Sequence, residues 1–126
     1  MSWQAFVDDQ LLATGSVTQA VICDHSGNPW AQSAGFAPPP AELGAIAGGF
    51  ANPSALQAGG ISLNGEKYMF VRSDDQTMYA RKGGSGVFVF KGGSFLIIGT
   101  HSDSVQPGQC SAAVSKLGDY LVSTGM

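Results

Sequence analysis

The sequence predicts one α+β domain, in which a central antiparallel sheet carries the N- and C-terminal helices on one face and short helices on the other. Three observations lead to this class. Helical apolar spacing occurs near both ends of the chain, strand-like alternation fills residues 61–100, and the gaps between candidate strands are too short for anything but hairpins. Helices segregated on an antiparallel sheet define α+β, and one domain over residues 1–126 suits this length.

The first element is a helix over residues 3–12. Ser2 is a favourable N-cap residue, and Gly15 suits the left-handed backbone that often ends a helix. Helical spacing brings four apolar side chains onto one broad arc: Trp3, Phe6, Val7 and Leu11. Chain termini usually fray, so a tryptophan at position 3 must pack against another element or contact a ligand.

The middle of the chain supplies a hairpin and two short helices. The predicted segments are a strand at 17–24, a turn at 25–28, a strand at 30–33, a helix at 41–47 and a helical piece at 52–57. The prolines at 38–40 lead into the first of these helices, because proline is tolerated in a first helical turn.

From Gly60 onward, strands are separated by glycine or aspartate turns. The candidate strands are residues 61–63, 67–72, 77–81, 86–90 and 95–100. Connections this short permit only antiparallel neighbours, so this part of the sheet is a meander. The pattern breaks at 105–108, and a helix over residues 109–123 follows, with Gly125 at its C′ position. If the two terminal helices pack side by side, Tyr120 lies near Trp3 and Phe6.

Composition narrows the class of protein. The chain is 44% hydrophobic and 12% charged, which predicts a compact globular protein. It has no apolar run long enough to span a membrane, and its first residues do not resemble a secretory signal, so we expect a cytoplasmic protein. Cys23 and Cys110 are too few for a disulfide framework or a metal site, and we expect both to be buried thiols.

The net charge of −3 is unevenly distributed. Residues 1–60 contain no Lys or Arg, and the six basic residues are Lys67, Arg72, Arg81, Lys82, Lys91 and Lys116. Five of them lie between positions 67 and 91, which predicts one locally basic face. The alternative is a set of solvated strand edges without a partner. Without an overall basic excess, the chain is not expected to bind nucleic acid.

No pattern in the sequence indicates catalysis, a cofactor or a metal. His25 and His101 have no acid or nucleophile at a telling spacing, so a surface or structural role is expected. The glycine-rich stretches at 82–86 and 91–94 lack the Gly-Lys-Ser/Thr ending and the following helix of a phosphate-binding loop. Both are read as hairpin turns, and Asp74-Asp75 also fits a turn.

The aromatic residues suggest a binding function instead. If Trp3, Phe6, Trp30 and Tyr120 converge, they form a strip of rings edged by indole N–H and phenol O–H groups. The alternative is that all four belong to the core, but a terminal position is a poor place for a core tryptophan. An open strip of this kind suits a polyproline II ligand, whose prolines stack on rings and whose free carbonyls accept hydrogen bonds.

Several segments resemble profilins in the right order and over the right length, from residue 2 to 126. The opening 2–8 (Ser-Trp-Gln-Ala-Phe-Val-Asp) resembles the start of a profilin, as do residues 27–31, 79–83 and 106–110 in their places. The ending 116–121 (Lys-Leu-Gly-Asp-Tyr-Leu) is especially similar to the amoeboid and plant-type members. No single motif is decisive, but their joint order is.

The resemblance implies two binding sites. By this resemblance, a proline-binding groove would be lined by Trp3, Phe6, Trp30, Tyr120 and Met126. By the same resemblance, an actin-binding face would consist of Phe70, Arg72, Arg81, Lys82, Lys91, Gln106, Pro107, Gly108 and Lys116. The family also binds phosphoinositide head groups, here through Arg72, Arg81, Lys82 and Lys91, with modest affinity expected from so few cations. Profilins usually have Tyr at the position that Phe6 occupies here, and some have an aromatic residue at the position of Met126.

The function that the resemblance implies is that of a monomeric, cytoplasmic, cytoskeletal actin-binding protein. It would sequester actin monomers, favour their nucleotide exchange and deliver them to formin-like or similar proline-rich elongation factors. One alternative is a proline-motif adaptor with little or no actin binding. Another is a phosphoinositide-binding module without actin binding, which the net charge makes less favourable.

Overall fold

The fold is known from a computed structural model that describes residues 2–126, and it is built on a seven-stranded antiparallel sheet. The strands are Gln19–Cys23 (β1), Pro29–Gln32 (β2), Ile61–Leu63 (β3), Glu66–Ser73 (β4), Thr77–Lys82 (β5), Ser85–Lys91 (β6) and Leu96–His101 (β7). Their spatial order is β2-β1-β7-β6-β5-β4-β3. The meander predicted for β3 to β7 is therefore confirmed, and the first hairpin joins it through pairing of β1 with β7.

Helical segments cover both faces of the sheet. They are Trp3–Ala5 (α1), a π-helical stretch Phe6–Leu11, a 3-10 turn Leu12–Thr14, Pro40–Gly49 (α2), Ser54–Gly59 (α3) and Pro107–Ser123 (α4). We call residues 3–14 the N-terminal helical segment. This segment and α4 pack on one face, and α2 and α3 pack on the other, as predicted.

Two apolar clusters fill the space between the sheet and its helices. On the α2 and α3 side the fully buried side chains include Leu43, Ile46 and Ile98. On the α4 side they include Val7, Leu11, Phe95 and Ile97. Because side chains alternate across a strand, neighbouring residues of β7 serve opposite clusters. The two faces of the sheet are therefore both buried along β7 and β6.

The N-terminal helical segment is less regular than predicted. Only one turn is α-helical, and the next six residues form a π-helix whose wide turn leaves Val7 and Leu11 fully buried. The predicted ends are confirmed, since the Ser2 hydroxyl accepts a hydrogen bond from the Ala5 N–H at 3.1 Å and Gly15 has a φ of 74°. Short π-helical insertions occur often at functional sites.

The last helix begins two residues earlier than predicted. Pro107 occupies its first turn, and Gln106 and Gln109 exchange reciprocal capping bonds, including one from the Gln106 N–H to Gln109 Oε1 at 3.1 Å. Gly125 lies just beyond the helix with a φ of 96°, in agreement with the predicted C′ position. Other predicted boundaries differ from the structure by no more than two residues.

Both cysteines are free thiols buried in the apolar clusters, as predicted. Burial raises the pKa of Cys23 and of Cys110 to about 12, because the charged thiolate is poorly solvated there. Within residues 2–126, no helix has both the length and the apolar character needed to cross a bilayer.

Candidate functional site

Four aromatic rings from three elements form a continuous strip. The sequence predicted such a strip if these residues converge. In space their order is Trp30, Trp3, Phe6 and Tyr120, and we call this set the aromatic strip. The ring centroids of Trp3 and Trp30 are 4.8 Å apart, those of Trp3 and Phe6 5.6 Å, and those of Phe6 and Tyr120 6.3 Å. All three pairs are tilted, the arrangement that ring quadrupoles favour.

The local structure explains why Trp3 does not fray. The Gln4 amide donates a hydrogen bond to the Gln32 carbonyl at 2.9 Å, which ties the first helical turn to β2. Trp30 lies on β2, so the same tie holds Trp3 against Trp30. Trp3, Phe6 and Trp30 are partly buried against the apolar cluster on the α4 side, whereas 55% of Tyr120 is exposed.

The polar edges of the aromatic strip are free. Over the part of the chain that the structure describes, neither indole N–H nor the Tyr120 hydroxyl has a hydrogen-bond partner within the protein. Unpaired donors next to open ring faces match a ligand that offers carbonyl oxygens between apolar rings. Phe6 contributes a ring but no hydroxyl. Met126 packs against the same apolar cluster, next to the β6–β7 turn.

A cavity of about 440 Å³ continues from the aromatic strip between the N-terminal helical segment and α4. Phe6 and Tyr120 belong to its wall, and so does Lys116, one helical turn from Tyr120. Lys116 therefore lies on the side of α4 that faces the N-terminal helical segment. Sequence reasoning placed it with the actin residues and did not identify the cavity.

On the α4 side of the sheet, α4 packs mainly on β6 and β7, and several side chains of the neighbouring strands β5 and β4 are exposed. Three exposed side chains surround Tyr79 there: Met69, Arg72 and Arg81. We call these four residues the basic platform. The Arg72 guanidinium carbon lies 5.9 Å from the centroid of the Tyr79 ring, within the range of a cation–π contact.

A β-bulge places Arg72 on this platform. Phe70 pairs with Ala80 and faces α2 and α3, so strict alternation would turn Arg72 to that side as well. Val71 is the extra residue of the bulge, and Arg72 consequently pairs with Tyr79. The platform thus carries two arginines instead of one.

Within the basic platform, Tyr79 is anchored by a buried hydrogen bond. Its hydroxyl lies 2.9 Å from His101 Nε2, and His101 Nδ1 lies 2.9 Å from the Ser102 carbonyl. Because a carbonyl only accepts, Nδ1 carries the proton, and the Tyr79 hydroxyl donates to Nε2. Burial raises the pKa of Tyr79. His101 is 2% exposed, so the predicted structural role is confirmed and a surface role is not.

The start of α4 lies beside the basic platform. Cys110, in the first turns of this helix, belongs to the same buried cluster as Tyr79. Gln106, Pro107 and Gly108 precede it on the surface, and all three are exposed. Cys110 is close enough to Tyr79 to affect its pKa, which places the start of α4 near the platform.

The expectation of one basic face is met only in part: Lys67, Arg81 and Lys82 line one pocket, but the clustered cations as a whole divide between the two faces of the sheet. Arg72 and Arg81 point to the α4 side. Lys91 reaches over the Phe50 ring at 5.8 Å on the α2 side, and Phe70 also packs there. Lys82 forms an ion pair with Glu66 at 3.0 Å near the end of β5 and is about half exposed. Basic residues that are close in the sequence lie on different faces because side chains alternate along a strand.

Two exposed apolar residues on β4 were missed by the sequence reasoning. Met69 is 70% exposed and Val71 45%, beside the platform arginines. Large exposed apolar side chains rimmed by polar groups mark interaction surfaces. The signal was available in the alternation of this strand, in which Tyr68 and Phe70 face the core and their neighbours must point outward.

The profilin family model matches residues 1–126. Profilin-2 of Acanthamoeba castellanii is 44% identical over 125 residues, which are 99% of each chain. The crystal structure of Acanthamoeba castellanii profilin II has a TM-score of 0.97 at 43% identity and covers 99% of this chain and 100% of its own. Mouse profilin IIa in complex with a double repeat from the FH1 domain of mDia1 has a TM-score of 0.84, with full coverage of both chains, at 23% identity, which shows a shared fold.

Proposed function

This chain belongs to the profilin family, and from that premise we propose that it binds an actin monomer on the basic platform and proline-rich segments on the aromatic strip. Profilins are non-enzymatic actin-binding proteins, and polyproline binding is characteristic of them. The proposed result is a cytoplasmic, monomeric carrier that sequesters actin and hands it to proline-rich elongation factors of the formin type. Residues 1–126 act as one domain in this proposal.

The observation that carries the proposal is the position of α4 between the two surfaces. The N-terminal helical segment packs near β1 and β2, α4 covers β6 and β7, and the basic platform lies beyond on β5 and β4. The aromatic strip and the platform are thus on opposite flanks of one rigid helix. Two ligands can bind at once, which is what delivery of one to the other requires.

The aromatic strip favours proline-rich ligands for physical reasons. A polyproline II segment is already extended, so it loses little conformational entropy on docking. Its rings can stack on Trp3, Trp30 and Phe6, while its carbonyls accept hydrogen bonds from the free indole and phenol donors. The complex of mouse profilin IIa with an FH1 double repeat supports this assignment by shared fold. Met126 remains a proposed margin of the groove.

The basic platform supports an actin contact with an apolar centre and a charged rim. Met69 supplies exposed apolar area, and Arg72 and Arg81 supply cations for acidic groups of a partner. The proposed footprint continues onto the exposed start of α4 at residues 106–108. Lys82 forms its margin, whereas Phe70 and Lys91 lie on the other face of the sheet and contribute less. Lys116 also contributes less, because it lies on the opposite flank of α4, in the wall of the cavity beside the aromatic strip.

No catalytic group is needed for the proposed effect on nucleotide exchange. A partner that binds an opened form of actin more tightly than a closed form shifts the population toward the opened form. Phosphoinositide binding through Arg72, Arg81, Lys82 and Lys91 is proposed as weak. These four cations face two directions, so one head group or membrane surface cannot engage them all.

Two titrations of the same preparations test the proposal, one with an actin monomer and one with a blocked decaproline peptide. Trp3→Ala should strongly weaken decaproline binding and keep actin binding. Arg72→Glu should weaken actin binding and keep decaproline binding. Decaproline binding without actin binding in the unsubstituted protein would favour the adaptor function. Binding of neither ligand would refute the proposal.

A further inference from the structure

The groove that carries the aromatic strip does not end at its last ring. Past Phe6 and Tyr120, the cavity of about 440 Å³ runs on between the N-terminal helical segment and α4. Its remaining wall consists of Asp9, Gln10, Thr14, Ala113, Lys116 and Leu117. A ligand that lies along the strip therefore has a further site at one of its ends.

The chemistry of the cavity differs from that of the strip. Ala113 and Leu117 contribute apolar side chains to its wall, and the acidic residue Asp9 belongs to the same wall. A long basic side chain has both parts needed to fill such a site, an apolar stem and a charged head. The faces of Phe6 and Tyr120 add a surface on which a cation is attracted. A proline ring offers only the apolar part.

The charges around the groove favour a cation over an anion. Residues 1–60 contain no Lys or Arg, and α4 carries Lys116 and Asp119. The two helical segments that border the groove thus carry three aspartates, Asp8, Asp9 and Asp119, against one cation, although in the cavity wall itself Asp9 is matched by Lys116. The Asp9 carboxylate is not engaged by a basic side chain within residues 2–126, where Lys82–Glu66 is the ion pair found. Its charge is available to a ligand.

We propose that this cavity selects proline-rich ligands in which a lysine or arginine flanks the proline run, an inference that rests on the proposed proline-binding function. The flanking side chain lies on Ala113 and Leu117, and its charge faces Asp9. The proline run occupies the aromatic strip. Lys116 belongs to the same cavity wall and repels a basic side chain, which limits the preference for Lys or Arg.

Calorimetry with blocked peptides at low salt tests the preference. Decaproline is extended at either end by Arg, by Gln or by Glu, and the dissociation constants are compared as ratios. An exposed ion pair is worth a factor of about three to five at most, so the Arg peptide should bind about that much tighter than the Gln peptide at one end. The Glu peptide should bind more weakly than the Gln peptide. Added salt should reduce these ratios.

A matched pair of variants locates the effect. Asp9→Asn should reduce the Arg-to-Gln ratio to less than about 1.5, because it removes the charge at the cavity and keeps the shape. Asp8→Asn is the control, since Asp8 lies outside the cavity wall and accepts a hydrogen bond from Gln4 at 3.2 Å. It should retain most of the preference.

The possible failures are distinguishable. Equal affinities for the three peptides at both ends, or tighter binding of the Glu peptide, would overturn the selectivity. Equal loss of preference in both variants would overturn its location at Asp9. Each of these outcomes leaves the proline site intact. Failure of every peptide to bind would overturn the proposed proline site itself.

Discussion

Removal of the Trp3 ring is the perturbation with the most specific expected result. Trp3 is one of the two inner rings of the aromatic strip, 4.8 Å from Trp30 and 5.6 Å from Phe6. Without it, the next two rings are separated by up to about 10 Å, which is about one three-residue turn of a polyproline II helix. A ligand then loses stacking over a whole turn, together with one indole donor.

The expected loss of binding is large compared with the loss of stability. Truncation of a central aromatic contact costs about 2–3 kcal/mol of binding, which weakens decaproline binding by about 30- to 150-fold. Trp3 is only partly buried, so we expect Trp3→Ala to cost about 1–2 kcal/mol of unfolding free energy, less than a fully buried tryptophan. The folded state should persist, and the basic platform should be unchanged.

Isothermal titration with decaproline measures the first effect, and urea unfolding measures the second. Actin affinity of the same variant reports on the basic platform. Leu12→Ala is a matched control, because Leu12 packs partly buried on the same apolar cluster but lies outside the aromatic strip. Decaproline affinity within about threefold of the unsubstituted protein, or equal losses for decaproline and actin, would refute the assignment of the strip.

Four further results are expected. Arg72→Glu and Arg81→Glu should each weaken actin binding by about 1–2 kcal/mol while decaproline affinity stays constant, and unchanged actin affinity in calorimetry would exclude the platform. Phe6→Tyr should tighten decaproline binding by about 0.5–1.5 kcal/mol through a new edge hydroxyl, whereas weaker binding would show that the ring edge faces no carbonyl. Cys23 and Cys110, with pKa raised from 9.0 to about 12, should resist a thiol reagent at pH 8 in the folded protein. Because the unfolded thiols ionise first, stability should fall as pH rises above about 9, and urea midpoints that stay constant up to pH 11 would contradict this.

Local sequence signals predicted most of the secondary structure. Ser2, Gly15 and Gly125 mark helix ends through their own conformational preferences, and each lies where it was expected. Short glycine and aspartate turns fixed the antiparallel order of the later strands. These features depend on a few neighbouring residues, so one sequence is enough to recognise them.

Features that depend on distant residues were not accessible in the same way. Pairing of Gln19 with Thr100 joins the first hairpin to the later meander across most of the chain, and no local pattern encodes it. The bulge at Val71 shifts the alternation of β4 by one residue, which moved Arg72 to the face opposite Phe70. Charge clustering therefore failed to predict which cations share a surface.

The candidate sites also combine features that local sequence predicts with features that depend on the packing of distant elements. The members of the aromatic strip could be proposed from side-chain chemistry and a resemblance, but their contact distances depend on how α1, β2 and α4 pack together. The cavity beyond Tyr120 arises only from the spacing between two helices. Asp9 and Thr14 carry no signal in the sequence that would indicate a shared wall.

In the proposed function, α4 separates two sites that bind their ligands independently. Titration of decaproline into the free protein, and into its preformed complex with an actin monomer, tests this directly. Independent sites predict dissociation constants that agree within about twofold, with one peptide bound per complex. Loss of peptide binding in the actin complex, or a tenfold weaker affinity there, would contradict the account.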